Sequence, residues 1–271
     1  IHTHKISHMH VVPTMFVRML RLPDEVKAKY DLSSLVHVIH GAAPCPPEAK
    51  KRMIEWWGPV IFEYYGSTEA GIVSVANSAD ALAKPGTVGP PLEGTLVRIY
   101  DDDANVVTQG ESGEIYMSMN DLSDFTYHNK HDKRVEIERD GMVTNGDVGY
   151  QDIDGYLFLN DRKRDMIISG GVNIYPAEIE ATLQDMPGVQ DCAVFGIPHD
   201  EFGESVAAAI EAQPGASLSA DAVKEYLRAH ISAYKVPREV TFHAAMPRED
   251  TGKIFKRKLR QPYWEKAGRQ I

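Results

Sequence analysis

Cysteine is nearly absent. The 271 residues hold two, Cys45 and Cys192, far apart and in no metal-like spacing. That excludes a disulfide scaffold and favours a reducing cytoplasm. No apolar run reaches the about 20 residues that span a bilayer, and no signal peptide opens the chain, so no transmembrane segment is expected. Positive charge is in deficit: the formal net charge is -10, which argues against a general nucleic-acid footprint. Basic residues do crowd the end, at Lys253, Lys256, Arg257, Lys258 and Arg260, where they can face an anionic ligand. Internal repeats and low-complexity tracts are also missing. Ile1 is no initiator, and Ile6 followed by Val11-Val12-Pro13 reads as the edge of a buried sheet, so the chain is expected to begin inside a domain. What is present is ordinary for a folded protein, 43% hydrophobic and 25% charged, enough for one large domain or two with separate cores.

Apolar residues at Met15, Phe16, Met19, Leu20 and Leu22 predict a helix ended by Pro23. Leu35 to Ile39 predicts a strand running into Gly41-Ala42-Ala43-Pro44. A helix follows from Pro46-Pro47 to about Trp57, then a strand from Val60 to Tyr64. This βαβ unit implies a parallel sheet whose carboxyl ends carry loops at Gly41 and Gly66, where open α/β sheets bind ligands. From Gly86 onward, short strands at Val88, Val97–Tyr100, Glu114–Met117 and Tyr156–Leu159 alternate with turns at Asp140-Gly141 and Asp154-Gly155. They predict a small antiparallel sheet or barrel. Beyond a charged bridge at Arg162–Asp165 the pattern turns α+β: a helix from Pro176, strands at Val189–Ile197 and Ser205–Ala212, a helix at Asp221–Ile231 and a strand near Val240–His243. The boundary is placed at Lys163/Arg164, giving domains 1–163 and 164–271.

Four polar clusters stand at the ends of these apolar runs, where side chains can project into a cleft. They are Tyr65-Gly66-Ser67-Thr68-Glu69, Thr144-Asn145-Gly146-Asp147, Asp161-Arg162-Lys163-Arg164-Asp165 and Thr251-Gly252-Lys253. Each has a bland reading: a capped helix start with an acidic first turn for the first, an acidic turn for the second, solvated charges for the third, a basic tail for the last.

Together and in this order the clusters resemble the adenylate-forming superfamily of acyl-CoA synthetases, luciferases and peptide-synthetase adenylation domains. The resemblance implies α/β and α+β architecture: a truncated large domain (parallel βαβ plus a small antiparallel β subdomain), then a small mobile carboxyl-terminal α+β domain. It implies that Gly41, Ala42 and Ala43 line adenine, that Tyr65 stacks on it and Gly66 lets backbone approach it, that Thr68 bonds the α-phosphate and that Glu69 helps hold Mg²⁺. Asp147 bonds the ribose hydroxyls, and Arg162 assists at the ribose or phosphate end. Arg164 is the hinge, where many members have Lys or Asp. Lys253 places an ammonium on the charge that develops as a carboxylate attacks the α-phosphorus. Ser169-Gly170-Gly171-Val172-Asn173-Ile174-Tyr175-Pro176 resembles the loop lining the CoA pantetheine tunnel, although a plain turn before a helix explains it too.

The expected activity is an AMP-forming acid–CoA ligase that uses ATP, Mg²⁺ and coenzyme A on a long-chain fatty acid or related carboxylic acid. Domain rotation about Arg164 would exchange Lys253 for the glycine loop. The family's Ser/Thr/Gly-rich phosphate loop is missing from these residues, so the chain taken alone is expected to be inactive or nearly so. Two alternatives stay open: an adenylation domain loading a carrier-protein thiol, and a non-catalytic nucleotide-binding or interaction module. A homodimer is also left open. A competing constellation, His2, His4, His8 and His10 with His37 and His40, puts alternating histidines on a strand and is weighed as a minor metal-binding reading, since no cysteine or acidic partner accompanies it.

Overall fold

The computed structural model describes residues 1–120, 122–249 and 252–268. It divides into two compact units, 1–159 and 160–271, each with cores of its own. The division falls within a strand, four residues before the Lys163/Arg164 boundary placed from the sequence.

The first unit opens with β1 (His8–Val11), α1 (Pro13–Leu20), α2 (Asp24–Lys27), β2 (His37–His40), α3 (Pro47–Trp57), β3 (Ile61–Ser67), β4 (Gly71–Ala76) and α4 (Ser78–Ala83). The sheet order is β1-β2-β3-β4; β1, β2 and β3 are parallel, and β4 returns antiparallel to β3. Pro13 and Pro47 sit in the first turns of α1 and α3, where a missing N–H costs nothing. Gly58, at φ 83°, ends α3. Phe16 and Leu20 on α1 and Met53, Ile54 and Trp57 on α3 follow helical spacing and bury against Val38 and Ile61. The βαβ unit read from the sequence is therefore present, and its strand ends deliver Gly41 and Ser67 to the same edge.

The rest of this unit is a sheet of β5 (Thr87–Gly89), β6 (Thr95–Tyr100), β7 (Gly113–Met119), β8 (Glu138–Arg139), β9 (Met142–Gln151) and β10 (Leu157–Arg162), with α5 (His131–Glu136) between β7 and β8. Its order is β5-β10-β9-β7-β6, with β8 paired to β9. Asp140-Gly141 forms the expected hairpin turn: Arg139 pairs with Met142, and both turn residues have positive φ. One expectation is corrected. Asn145-Gly146-Asp147 is not a loop at a strand end but lies inside β9. Glu114 pairs with Val148 and Tyr116 with Thr144, so residues 145–147 all face Ile115 as a bulge, with Gly146 at φ 74°. A Gly-Asp pair signals a bulge as readily as a turn, and the sequence does not distinguish them.

The second unit contains β11 (Ile167–Ser169), β12 (Val172–Ile174), α6 (Pro176–Gln184), β13 (Val189–His199), β14 (Gly203–Ala212), α7 (Ala220–His230), β15 (Glu239–His243) and α8 (Lys256–Lys266). The sheet runs β12-β11-β14-β13, with β15 joined parallel to β14. Both faces of β13 and β14 are covered, which explains their unbroken apolar sequence. Cys192, Val194, Val206 and Ala208 pack against Ile179 and Leu183 of α6 and Val223 and Leu227 of α7. Ala193, Phe195, Ile197 and Ala207 pack against Leu259 of α8. Helix α8 had no sequence expectation, because Pro262 interrupts it. It is fixed nonetheless by Leu259 and by Trp264, whose Nε1 donates to the Gly196 carbonyl over 3.1 Å.

Candidate functional site

In the first unit the motif residues gather at the carboxyl ends of β2 and β3. After β2 the chain turns through Gly41, which is buried and packs on the Tyr64 ring so closely that an added Cβ would lie 2.6 Å from it. Ala42 is exposed at φ 67°, a strained conformation for a residue with a side chain, of the kind found at ligand sites. Ala43 and Pro44 complete a turn of small residues. Beneath it, His40 is fully buried and neither ring nitrogen has a hydrogen-bond partner among the described residues. Burial first, then the charges of Lys50 and His10, push its pKa down to about 3, so the ring is neutral at physiological pH. The wall behind it holds a buried ion pair between Lys50 of α3 and Glu63 of β3.

Tyr65-Gly66-Ser67-Thr68-Glu69 is the tip of the β3–β4 hairpin, not a helix start. Ser67 Oγ accepts the Ala70 N–H over 3.1 Å and closes the turn, which leaves Thr68 exposed. Gly66, expected to let backbone approach a nucleotide, also has a local structural reason to be glycine. An added Cβ would meet the Gly71 carbonyl oxygen at 2.0 Å, so the hairpin's own backbone requires glycine there. Tyr65 is also less open than a stacking platform implies. It is 7% exposed, and its ring packs with Val73, Ile115 and Val143.

What Tyr65 contributes is its hydroxyl, which donates to Asp147 Oδ2 over 2.9 Å across 82 positions of sequence. The β9 bulge presents Asp147 to that hydroxyl, so two residues singled out separately in the sequence become one polar unit. Glu69 has a partner that no sequence signal marked: the Tyr127 hydroxyl donates to its Oε1 over 2.9 Å. Burial and the Glu69 carboxylate raise the Tyr127 pKa, so it remains a donor. One oriented carboxylate fits a magnesium ion that arrives on nucleotide phosphates and keeps most of its waters. Among the described residues no group of three or more His, Cys, Asp or Glu is arranged to hold a metal by itself. Of the amino-terminal histidines, His8 and His37 lie 6.0 Å apart between ring centroids, and His10 Nε2 lies 3.4 Å from the Tyr64 hydroxyl.

In the second unit Arg162 ends β10 and begins a tight turn, its carbonyl accepting the N–H of Asp165 over 2.9 Å and of Met166 over 3.1 Å. The Arg164 side chain is 69% exposed, and its carbonyl faces Arg260 Nη1 at 3.4 Å. Lys253 lies on a hairpin just before α8; Asp250 and Thr251 fall outside the described residues. Burial, followed by repulsion from Arg162 and Arg164, holds the Lys253 ammonium below the ordinary lysine pKa, while Asp165 and Glu249 pull the other way. A second cation, Lys256, is tied to Glu180 of α6 over 2.7 Å. Gly170 and Gly171 are an exposed two-residue turn joining β11 to β12, at φ 59° and 81°. That geometry demands glycine for the turn itself, and the glycine loop read from the sequence is a hairpin tip.

Among the described residues no helix is long and apolar enough to cross a membrane. The sequence profile of the AMP-binding enzymes matches residues 1–123, and that of the AMP-binding enzyme C-terminal domain matches residues 178–253. A long-chain-fatty-acid–CoA ligase of Bacillus subtilis (strain 168) is 34% identical over 94% of this chain and 45% of its own length. A feruloyl-CoA synthase of an Amycolatopsis species is 38% identical over 93% of this chain and 51% of its own. Among solved structures, the anthranilate CoA ligase AuaEII in complex with anthranoyl-AMP superposes with a TM-score of 0.87 at 28% identity, over 98% of this chain and 52% of that one. The chain thus spans about half the length of the curated relatives it matches.

Proposed function

This chain belongs to the AMP-binding enzymes of the adenylate-forming superfamily, and from that premise we propose that it carries the AMP-holding and lysine-bearing portion of an acid–CoA ligase. The observation that carries the proposal is the Tyr65–Asp147 hydrogen bond, which fixes a carboxylate of the β9 bulge against β3, the strand whose Tyr64 ring packs on Gly41. A carboxylate can accept from two vicinal ribose hydroxyls at once, and the exposed Thr68 is free to meet a phosphate oxygen. In the first half-reaction a carboxylate oxygen of the acid attacks the α-phosphorus of ATP. The bond to the β-phosphate bridging oxygen breaks, pyrophosphate leaves, and acyl-AMP forms. Glu69 would help hold a magnesium ion, which would supply positive charge against the phosphates. Lys253, with Arg162 beside it in the second unit, supplies positive charge to the equatorial oxygens where negative charge accumulates. In the second half-reaction the CoA thiolate attacks the acyl carbon and AMP departs, with the exposed tip at Gly170 and Gly171 as the contact for the thiol arm and Arg164 as the pivot between the steps.

The acid is a carboxylic acid of the kind named for the relatives, fatty or aromatic. Ala70 and Gly71, after Glu69, present little bulk, and exposed Ile72 adds apolar surface, which suits an acyl chain or an aryl ring. The test is pyrophosphate release with a panel of fatty and aromatic acids, on the 271 residues and on a form extended at its amino end. We expect turnover that depends on the extension, with CoA thioester as product. Robust release by the 271 residues alone overturns the incompleteness; product only on a carrier-protein thiol overturns the acceptor; no specific heat with an acyl-AMP mimic overturns the site.

A more local prediction concerns Tyr65. In the extended form, Tyr65→Phe removes a hydrogen bond to a charged acceptor, worth about 1.5–3 kcal/mol. The KM for ATP should rise about tenfold or more, with the melting temperature nearly unchanged because the ring remains packed. An unchanged KM would show that Asp147 holds its orientation without that hydroxyl.

A further inference from the structure

Among the described residues, three backbone bonds hold the hairpin bearing Lys253. Phe255 N–H donates to the Pro247 carbonyl, Glu249 N–H to the Lys253 carbonyl and Gly252 N–H to the Glu249 carbonyl, each over 2.8 Å. Arg248 and Ile254 form the antiparallel bridge between the two arms. A lone hairpin of this size is marginal in water, and an ammonium swinging on a loose tip would forfeit the preorganisation that makes a charge effective in catalysis. The side chain of Arg248 supplies the missing rigidity. One of its terminal nitrogens pairs with the Asp191 carboxylate, and the other donates over 2.8 Å to the Gly252 carbonyl. That carbonyl belongs to the peptide unit whose nitrogen is that of Lys253, so a single planar guanidinium links the core sheet to the backbone next to the lysine.

The anchor itself cannot swing. Asp191 lies on β13, is largely buried, and its Oδ1 accepts the Cys192 N–H over 2.9 Å. Directly across the β13–β14 ladder sits Glu211. Its Oε2 accepts the Met246 N–H over 2.8 Å, and its Oε1 accepts from Gln190 over 2.8 Å. Two acids at paired positions thus hold the hairpin's root, one by backbone at Met246 and one through Arg248. Ile254 and Met246 pack into the apolar cluster below.

We propose that Arg248, anchored by Asp191, is a positioning residue for Lys253, setting the direction from which the ammonium approaches the α-phosphate. The proposal rests on the reading of Lys253 as the adenylating cation. Arginine is required for a geometric reason: its fork reaches two acceptors at fixed separation, whereas a lysine ammonium is a point charge on a flexible stem. Arg248→Lys should therefore keep the Asp191 pair and the fold while releasing the Gly252 carbonyl. Misplacing a catalytic group by about 1 Å costs up to about a hundredfold in rate.

The experiment uses the extended, turnover-competent form and follows the half-reactions separately: pyrophosphate release, and thioester formation from supplied acyl-adenylate. Arg248→Lys should melt within about 2 °C of the parent, lower the adenylation kcat about ten- to a hundredfold with little change in KM for ATP, and leave thioester formation unaltered. Combined with Lys253→Ala it should add no further loss, since two residues acting through one group are not additive. If Lys253→Ala abolishes adenylation while Arg248→Lys adenylates at the parental rate, the positioning role is overturned and the Lys253 reading stands. If Lys253→Ala retains near-parental adenylation, the underlying reading falls and takes the proposal with it. A fall in melting temperature with equal loss of both half-reactions in Arg248→Lys reduces Arg248 to a structural residue and also overturns it.

Discussion

Lys253→Ala, made in the extended form, should slow acyl-adenylate formation by about a hundred- to a thousandfold, the loss that accompanies removal of one preorganised electrostatic group from a transition state. Thioester formation from supplied acyl-adenylate should be largely spared, because no charge then accumulates on phosphorus. Equal loss of both half-reactions would count against the assigned role. The charge state of this lysine also gives the reaction a pH signature. Burial disfavours the ammonium, Arg162 and Arg164 repel it, and Asp165 and Glu249 only partly compensate, so its pKa lies below the ordinary lysine value. The protonated form is the active one. Adenylation should therefore decline as pH rises through that lowered pKa, at less alkaline pH than an unperturbed lysine would give. Arg164→Gln removes one repelling charge and should move the alkaline limb of the pH–rate profile upward. A limb that stays put, or moves downward, is inconsistent with Lys253 as the titrating group.

The largest effect on stability is expected at the ion pair beneath the small-residue turn. The side chains of Lys50 and Glu63 are 3% and 6% exposed, and Lys50 also reaches the Thr87 carbonyl at 3.4 Å. Lys50→Met leaves a buried carboxylate without its cation, which costs about 3–5 kcal/mol and should lower the melting temperature by roughly 10 °C or more. Lys50→Met combined with Glu63→Met should recover much of the loss, since it is the uncompensated charge and not the absent pair that is expensive. The pH dependence has a definite sign. Burial already raises the Glu63 pKa, and Lys50 opposes that rise; removing Lys50 lifts it further. A carboxyl whose pKa is higher folded than unfolded binds more protons when folded, so stability falls as pH rises between the two values. The Lys50→Met deficit should thus be smaller near pH 4 than near pH 7 in thermal unfolding. A deficit independent of pH would mean that Glu63 is not left charged and buried.

Much of this architecture was legible because apolar spacing and punctuation are local. The stripe at Phe16 and Leu20, the proline at the start of α3, Gly58 after Trp57 and the run from Val189 all specify elements within a few turns or strand repeats. The departures have equally specific causes. Asn145-Gly146-Asp147, placed at the end of an apolar run, lies inside β9, because a bulge and a turn use the same residues. Gly66 and Gly170-Gly171 have a second reason to be glycine that only the fold shows, because the hairpin backbone requires them. Helix α8 went unexpected because Pro262 lies inside it, yet burial of Leu259 outweighs the missing hydrogen bond.

The sequence by itself determined the family resemblance and much of the order of the elements, since each of these depends on residues close together along the chain. Only the tertiary structure decided which clusters work as pairs: the Tyr65 hydroxyl with Asp147, Tyr127 with Glu69, and Arg248 bridging Asp191 to the lysine hairpin. Polar partners separated by 57 to 82 positions leave no periodic trace, because one hydrogen bond constrains two side chains and nothing in between. Hydrophobic burial constrains every third or fourth residue of a helix and every second residue of a strand, and so writes itself into the sequence.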